Sequence, residues 1–212
     1  MKWDEKHFSI LKEYRASTVI SVSIGTHMIL FIELYFLSYV ITLSDTGDQV
    51  IVVKGQILTN YSEWGHFYRV EFDITVNALP EKWFNVFHFT IKDNTGNYGD
   101  RAPGFWISKD DNGAHFNIVS AVSGDKEHAF NFQIELAKKY HLVIRQFEDH
   151  DGKVTYEIEI DNEVKHSVPN DQAWDFTNVK LYVSDPWHQA FSSEYGILEN
   201  LRISQSGVYH YY

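Results

Sequence analysis

The sequence predicts an all-β protein with a sandwich or barrel architecture, and three observations support this. Aromatic residues make up 16% of the 212 residues, and flat rings favour strands because they pack well on a pleated surface. From residue 67 onward, short runs alternate between apolar and polar side chains, which is the period of a half-buried strand. Turn-forming strings such as DNTG, DDNG, SGDK and DHDG separate these runs, at the spacing typical of sandwiches and barrels.

The first element along the chain is an apolar segment, residues 17–43, which is long enough to cross a bilayer as a helix. Lysines and Arg15 precede it and Asp45 and Asp48 follow it, so the charge asymmetry places the N-terminus in the cytoplasm. Three interpretations stay open: a signal anchor, a signal peptide cleaved after Ser44, or a buried helix. The chain could start at Met1 or Met28.

We expect export by either route, because the run is long and of low polarity. Glu33 inside it favours cleavage over a permanent anchor. Residues 1–44 would then form a charged segment plus signal peptide or signal anchor, and residues 45–212 the folded domain. The expected location is secreted, with a single-pass anchored form as the alternative. The sequon at Asn60 is an expected site of N-glycosylation in an exported chain.

The strands follow in order after this segment. They are expected at residues 67–77, 83–91, 102–108, 115–122, 129–136, 140–147, 153–160, 163–168, 178–184 and 196–204.

The bulk charge and the absence of cysteine exclude several classes of function. The formal net charge is −11, so duplex nucleic acid is not an expected partner, because its affinity comes from Lys and Arg on phosphates. A membrane is expected as a partner only through the N-terminal segment. The chain has no cysteine, which excludes disulfides, thiolate metal sites and a cysteine nucleophile.

The string EIDNE, residues 159–163, has the spacing of a glucanase active site, but its context favours a turn. Thr155, Glu157 and Glu159 should share one face of a strand, and Asp161-Asn162 between two alternating runs is a turn signal. Glu159 and Glu163 would then lack a common cleft, whereas retaining glycosidases need two carboxyls about 5 Å apart on one face. No catalytic residue is therefore assigned.

The segments VTYEIEIDNEVKHSV, NVKLYVSDPW and GILENLRIS, with YGDRAPGFW upstream, resemble laminin G-like and other concanavalin A-like jelly-roll domains of animal extracellular proteins. The resemblance covers residues 56–204. It implies a β-sandwich jelly roll, and for function a non-enzymatic module that recognises a glycan or an extracellular protein. The alternatives are a glycoside hydrolase or lyase on the same fold, and a structural protein without a small ligand.

Calcium is the one cofactor for which the sequence offers ligands. The loop DNTGNYGDR carries Asp93 and Asp100, and Asp110 and Asp111 come one strand later. Carboxylate and amide oxygens on a glycine-bent loop suit this hard cation. The alternative is a pair of solvated turns, since Asp, Asn and Gly are common turn residues.

The same loop supplies the expected ligand-binding residues. Asp100, Arg101 and Asn97 could hold a sugar hydroxyl or carboxylate, while Tyr98 and Trp83, next to turns, could stack on a sugar ring. A structural ion pair is the competing role for Arg101. Trp106 is expected in the core, and Trp187 against the end of a sheet.

Overall fold

The computed structural model describes residues 39–42, 49–79, 81 and 83–205, and these residues form two sheets. The strands are β1 (Tyr39–Thr42), β2 (Ile57–Trp64), β3 (Tyr68–Val76), β4 (Trp83–Thr90), β5 (Gly104–Asp110), β6 (Gly113–Val122), β7 (Asp125–Ile134), β8 (Lys139–Glu148), β9 (Val154–Ile160), β10 (Glu163–Pro169), β11 (Phe176–Tyr182), β12 (Gln189–Ala190) and β13 (Gly196–Gln205).

Sheet A has the strand order β1-β13-β3-β8-β9-β10, and sheet B has the order β2-β11-β4-β5-β6-β7, with β12 pairing to β4. All neighbours are antiparallel except β12 and β4. The two sheets pack as a jelly-roll sandwich, which confirms the predicted fold class. The edge strands that matter below are β10 of sheet A and β7 of sheet B.

The core lies between the sheets and is built from alternating side chains. In β3 every second residue from Tyr68 to Val76 is buried, as the alternation of the sequence predicts. Phe72 meets Phe87 edge to face at 5.1 Å and lies 5.1 Å from Phe105. Each such ring contributes about 1.5–3 kcal/mol of transfer free energy.

The β9–β10 connection is the predicted turn. Asp161 and Asn162 have φ angles of 54° and 64°, the left-handed pair that a tight hairpin requires. Glu163 pairs with Ile160 directly across this turn. Glu157 and Glu159 point together to the outer face of sheet A, where one Arg145 side chain binds both.

Part of the apolar N-terminal segment is a strand and not a helix. Tyr39–Thr42 form β1, which pairs with β13 from Tyr39↔Gln205 to Thr42↔Arg202, because β13 would otherwise present an open edge of unpaired backbone groups. Cleavage after Ser44 would remove β1 from sheet A. The other residues of the predicted segment 1–44 lie outside the described residues. In the described part of the chain, no helix is both long and apolar enough to cross a membrane.

Candidate functional site

A cluster of buried charged groups lies on the outer face of sheet B, where β4 changes its pairing partner. The C-terminal half of β4 pairs with β11, and its N-terminal half pairs with β12. The connection between β11 and β12 carries Asp185 and His188. It brings Asp185 to His88 of β4, and His188 contacts the same carboxylate.

A bulge in β4 fixes the direction of His88. The β4–β5 register shifts between Asn85 and Phe87, and the extra residue re-aims the side chains that follow. Asn85 is fully buried and holds the bulge by donating its amide to the carbonyls of Phe87 and Phe105. Its Oδ1 accepts the backbone N–H of Asp185 at 2.7 Å, so the same residue anchors both halves of the cluster.

Asp185 is the centre of the cluster. Its side chain is 0% exposed and accepts the backbone N–H groups of Trp187 and His188 at 3.0 and 2.8 Å. His188 Nδ1 lies 2.9 Å from Oδ2, and His88 Nδ1 lies 3.0 Å from the same oxygen. Burial opposes ionisation, but the contacts with the two imidazoles outweigh it and hold the pKa of Asp185 below its usual range.

His88 must carry a proton on both ring nitrogens. Nδ1 faces the Asp185 carboxylate at 3.0 Å and Nε2 faces the carbonyl oxygen of Asp100 at 2.6 Å. Both partners only accept hydrogen bonds, so an unprotonated ring nitrogen would place its lone pair against a lone pair of the partner oxygen. His88 is therefore an imidazolium that forms a fully buried ion pair with Asp185.

His188 presents one ring nitrogen outward. Its Nδ1 lies 2.9–3.0 Å from both Asp185 oxygens and 3.3 Å from Trp106 Nε1. The shorter contacts with an ionised carboxylate require the proton on Nδ1, which leaves the lone pair on Nε2. Among the described residues Nε2 has no hydrogen-bond partner, and the side chain is 23% exposed. An oriented imidazole of this kind can accept a proton.

Arg101 lies on the indole of Trp106, whose ring also contacts His188 at a centroid distance of 5.7 Å. The guanidinium carbon is 4.9 Å from the ring centroid, within the range of a cation–π contact. The indole folds back over Gly104, where an added Cβ would come within 2.2 Å of it. Arg101 Nη1 is 3.3 Å from Glu127 Oε1. Burial lowers the pKa of Arg101 and Glu127 opposes that shift, so the group stays charged.

The outer face of sheet B continues from this cluster as a polar surface. Register aligns one side chain per strand across β4 to β7: Trp83, Ser108, His115 and Gln133. Trp83 is 45% exposed and Trp187 is 40% exposed, so two indoles flank the cluster. Hydroxyl, amide, imidazole and indole groups on one face suit a ligand with a carbohydrate surface.

Two of the predicted ligand-binding residues hold their own loop together instead. Asp100 is 1% exposed and accepts hydrogen bonds from the backbone of Asp93 and Asn97 and from the side chains of Asn97 and Thr90. Burial opposes ionisation of Asp100, but these bonds outweigh it and hold its pKa low. Asp100 and Asn97 therefore brace the loop; burial of Asp100 counts against direct contact with a ligand, whereas Asn97 is exposed and its predicted contact stays a prediction.

The four carboxylates predicted to bind calcium do not come together. Asp93 and Asp100 lie before β5, whereas Asp110 is its last residue and Asp111 follows it, so the six strand residues 104–109 separate the two groups by roughly 20 Å. Asp110 accepts the backbone N–H of Asn112 within its own turn. Among the described residues, no group of three or more His, Cys, Asp or Glu side chains could hold a metal ion.

Of the other predicted residues, Arg101 lies in the cluster and Trp83 lies on the same sheet face. Tyr98 lies apart from them: its hydroxyl donates to the carbonyl of Gln172 at 2.8 Å, and its ring meets Trp174 edge to face at 5.0 Å. Asn60 lies on β2, an edge strand, and is exposed. Its glycosylation remains a prediction.

His88, Asp185 and His188 were not among the residues predicted from the sequence. His88 and His188 are distant in the sequence and show no metal or protease spacing. The available signal was the string SDPWH, in which an Asp stands three residues before a His, so that one turn can bring them together. Trp106, predicted in the core, is buried but lies on the outer face between Arg101 and Gly104.

No family model and no curated protein matches the sequence. Among solved structures, the fold is similar to that of an alginate lyase in complex with an alginate tetrasaccharide, with 14% identity, a TM-score of 0.49 and coverage of 80% of this chain and 84% of that one. An alginate lyase from Pseudomonas aeruginosa has 11% identity, a TM-score of 0.47 and 68% coverage of both chains. A heptameric SAP-like pentraxin from Limulus polyphemus has 10% identity, a TM-score of 0.45 and coverage of 77% and 76%.

At these identities the likeness shows the fold alone. Several of these similar structures are alginate lyases, which stands against the expectations of a non-catalytic recognition module and of a chain that is not an enzyme.

Proposed function

We propose that this chain cleaves an acidic glycan by β-elimination on the outer face of sheet B. The observation that carries the proposal is the pair formed by His188, oriented by Asp185, and Arg101, both in contact with Trp106. The arrangement offers a proton acceptor and a fixed cation that contact the same indole. These are the two groups that proton abstraction next to a carboxylate needs.

The chemistry assigns one role to each side chain. Arg101 binds the substrate carboxylate and lowers the cost of the charge that develops there. His188 Nε2 takes the proton from the carbon next to that carboxylate. The electron pair of the broken C–H bond forms a carbon–carbon double bond, and the glycosidic C–O bond breaks. The imidazolium can return its proton to the departing oxygen, so one fragment ends in an unsaturated sugar.

Asp185 acts as a positioning residue. It holds the His188 tautomer through Nδ1 and does not face the substrate, because it is fully buried. His88 offsets its charge, so the buried carboxylate does not repel an acidic ligand. Asp100 is likewise buried within its loop.

A second candidate function is glycoside hydrolysis on the outer face of sheet A, where Glu157 and Glu159 share a face. Their Oε1 atoms lie 2.5 and 2.6 Å from one nitrogen of Arg145, so the two oxygens are at most about 5.1 Å apart. This separation fits the carboxyl pair of a retaining glycosidase. The shared guanidinium counts against it, because hydrolysis needs one of the two groups to act as an acid.

The place of action that we propose is outside the cell, because residues 17–43 form a long apolar segment and Asn60 stands in a sequon. The resemblance to laminin G-like domains of animal extracellular proteins supports the same location. The partner proposed is a glycan.

The test is a screen of purified protein against polyuronates and neutral polysaccharides, recording both new reducing ends and the ultraviolet absorbance of the conjugated unsaturated product. We expect cleavage of a polyuronate with absorbance, lost in His188→Gln and kept in His66→Gln, an exposed histidine that also pairs with an aspartate. Cleavage without absorbance that depends on Glu157 would support hydrolysis instead. Failure to cleave any glycan would refute both candidates.

A further inference from the structure

A histidine pair joins the two sheets at one open edge of the sandwich. β7 is the last strand of sheet B and β10 is the last strand of sheet A. His128 of β7 and His166 of β10 are the partly buried residues of alternating strands. Their Nε2 atoms are 2.8 Å apart. The contact is a link between the sheets at an edge where they share no backbone ladder.

This distance requires one hydrogen between the two nitrogens. The ring centroids are 5.1 Å apart, so each Nε2 atom points almost straight at the other. One Nε2 must donate and the other must accept, since a contact at 2.8 Å is a normal hydrogen bond only with a single proton between the atoms. With both nitrogens protonated, two N–H groups and two positive charges would oppose each other.

The rings that pack against the pair offer no charge to offset a second proton. Tyr156 of β9 meets both imidazoles edge to face at 6.2 Å, and Phe130 stacks on His166 at 5.1 Å. Ser120 of β6 stands opposite His128 in the register. Tyr156 is the one titratable group among these three, and burial raises its pKa well above the ordinary value, so it stays neutral.

The charged residues beside the pair in sequence are engaged elsewhere. Lys126 donates to the carbonyl of Gly96, Glu127 accepts from Thr95 and pairs with Arg101, and Lys165 binds Glu163. Within the described residues, no carboxylate pairs with either imidazole. A second proton on the pair would therefore add a positive charge that no neighbouring carboxylate offsets.

We propose that His128 and His166 form a pH-sensitive clasp that closes this edge of the sandwich near neutral pH and opens it in mild acid. The closed state holds one proton fewer than two free imidazolium groups, so falling pH favours the open state by mass action. The responding element is the β7–β10 edge, and the two sheets otherwise stay packed through the shared core.

The direction of the His166 shift agrees with this. Burial and the nearby His128 lower the pKa of His166. A histidine whose pKa is depressed in the folded state takes up its proton more readily when unfolded. Its contribution to stability is therefore present above about pH 6.5 and is lost as pH falls below it.

Opening of the clasp would also reach Arg101. Glu127 precedes His128 on β7, points to the opposite face and pairs with Arg101 at 3.3 Å. A shift of β7 would loosen that ion pair and change how Arg101 is held. This consequence for activity rests on the function proposed above, whereas the clasp itself does not.

The clasp can be tested without a substrate. Hydrogen exchange of β7 and β10 amides is compared at about pH 7.5 and about pH 5 in the native protein and in His128→Gln/His166→Gln, whose amides can keep one hydrogen bond but do not titrate. After correction for the intrinsic exchange rate, we expect protection in these two strands to fall at least severalfold in acid in the native protein and to stay unchanged in the double variant. Equal behaviour of the two proteins would overturn the proposal.

A titration of the native protein followed by imidazole NMR signals covers the case in which the double variant does not fold. We expect the pair to take up two protons in well-separated steps, the second accompanied by shifts in β7 and β10 amides. Two independent titrations near the ordinary histidine value would overturn the clasp. Loss of protection with no glycan cleavage at any pH would leave the clasp standing and refute only the function.

Discussion

Replacement of Asp185 by asparagine tests the buried charge network most sharply. Asp185 has no exposed surface and accepts from two backbone N–H groups and two imidazoles. The asparagine side chain would keep one acceptor oxygen, but it would lose the charge and turn an NH2 group toward one of the imidazoles. His88, whose second nitrogen already faces a carbonyl, would become a buried cation without a counter-ion.

The expected cost follows from that burial. Breaking a fully buried ion pair by removing one partner destabilises a protein by about 3–5 kcal/mol, because the remaining charge stays desolvated. This is a large part of the 5–15 kcal/mol or so that a domain usually has. The matched control is Asp175→Asn, which removes an aspartate paired with His66 at 2.6 Å with side chains 42% and 33% exposed. Solvent screening limits that pair to about 0–1 kcal/mol.

Urea denaturation of both variants measures the difference. The slope of unfolding free energy against urea should be equal in the three proteins, so that the midpoint shift reports stability. We expect Asp185→Asn to lose several times more free energy than Asp175→Asn. If the two variants lose the same amount, His88 is not an imidazolium paired with Asp185, and the protonation argument for the cluster is refuted.

Three further predictions concern the surroundings of the site. Gly104→Ala should cost about 1–3 kcal/mol and change the tryptophan fluorescence, since its Cβ would overlap the Trp106 indole; an unchanged spectrum and stability would contradict the packing. The hydrogen bonds that hold the pKa of Asp100 low should make the free energy of unfolding fall as pH drops below about 4. In urea denaturation, this fall should be smaller in Asp100→Asn than in the native protein, and as large in Asp93→Asn as in the native protein. Protein secreted from a glycosylating host should lose mass on glycosidase treatment, whereas the Asn60→Gln variant should not. If the native protein loses no mass either, Asn60 is not glycosylated.

The architecture could be predicted because the period of the side chains fixes it. The residues along β3 are alternately buried and part-buried. The Asp161-Asn162 turn has the left-handed φ angles that Asp and Asn tolerate. Both depend on neighbours in the sequence, so local pattern is sufficient. The strand at Tyr39–Thr42 was mistaken for helix because apolar composition alone does not separate a helix from a buried or edge strand.

The site could be predicted only in part because its members are distant in the sequence. Arg101 was predicted to bind a ligand because it lies in a polar loop. Its contact with Trp106 depends on the indole folding back over Gly104, which residue spacing does not show. His88 depends on a bulge at Asn85, and Asp185 reaches it across 97 positions. Asp100 was predicted to bind a ligand because it is a loop carboxylate, yet it accepts hydrogen bonds from Asn97 of its own loop.

The measurement that tests the central claim most directly is cleavage of the substrate found in the glycan screen in water labelled with heavy oxygen, followed by mass spectrometry of the fragments. Elimination adds no water, so the account predicts that one fragment is lighter than its hydrolytic counterpart by one water molecule. Fragment masses that show one labelled water added across the cleaved bond, beyond the label that existing reducing ends take up by exchange, would show hydrolysis. That result would contradict the roles given to His188 and Arg101.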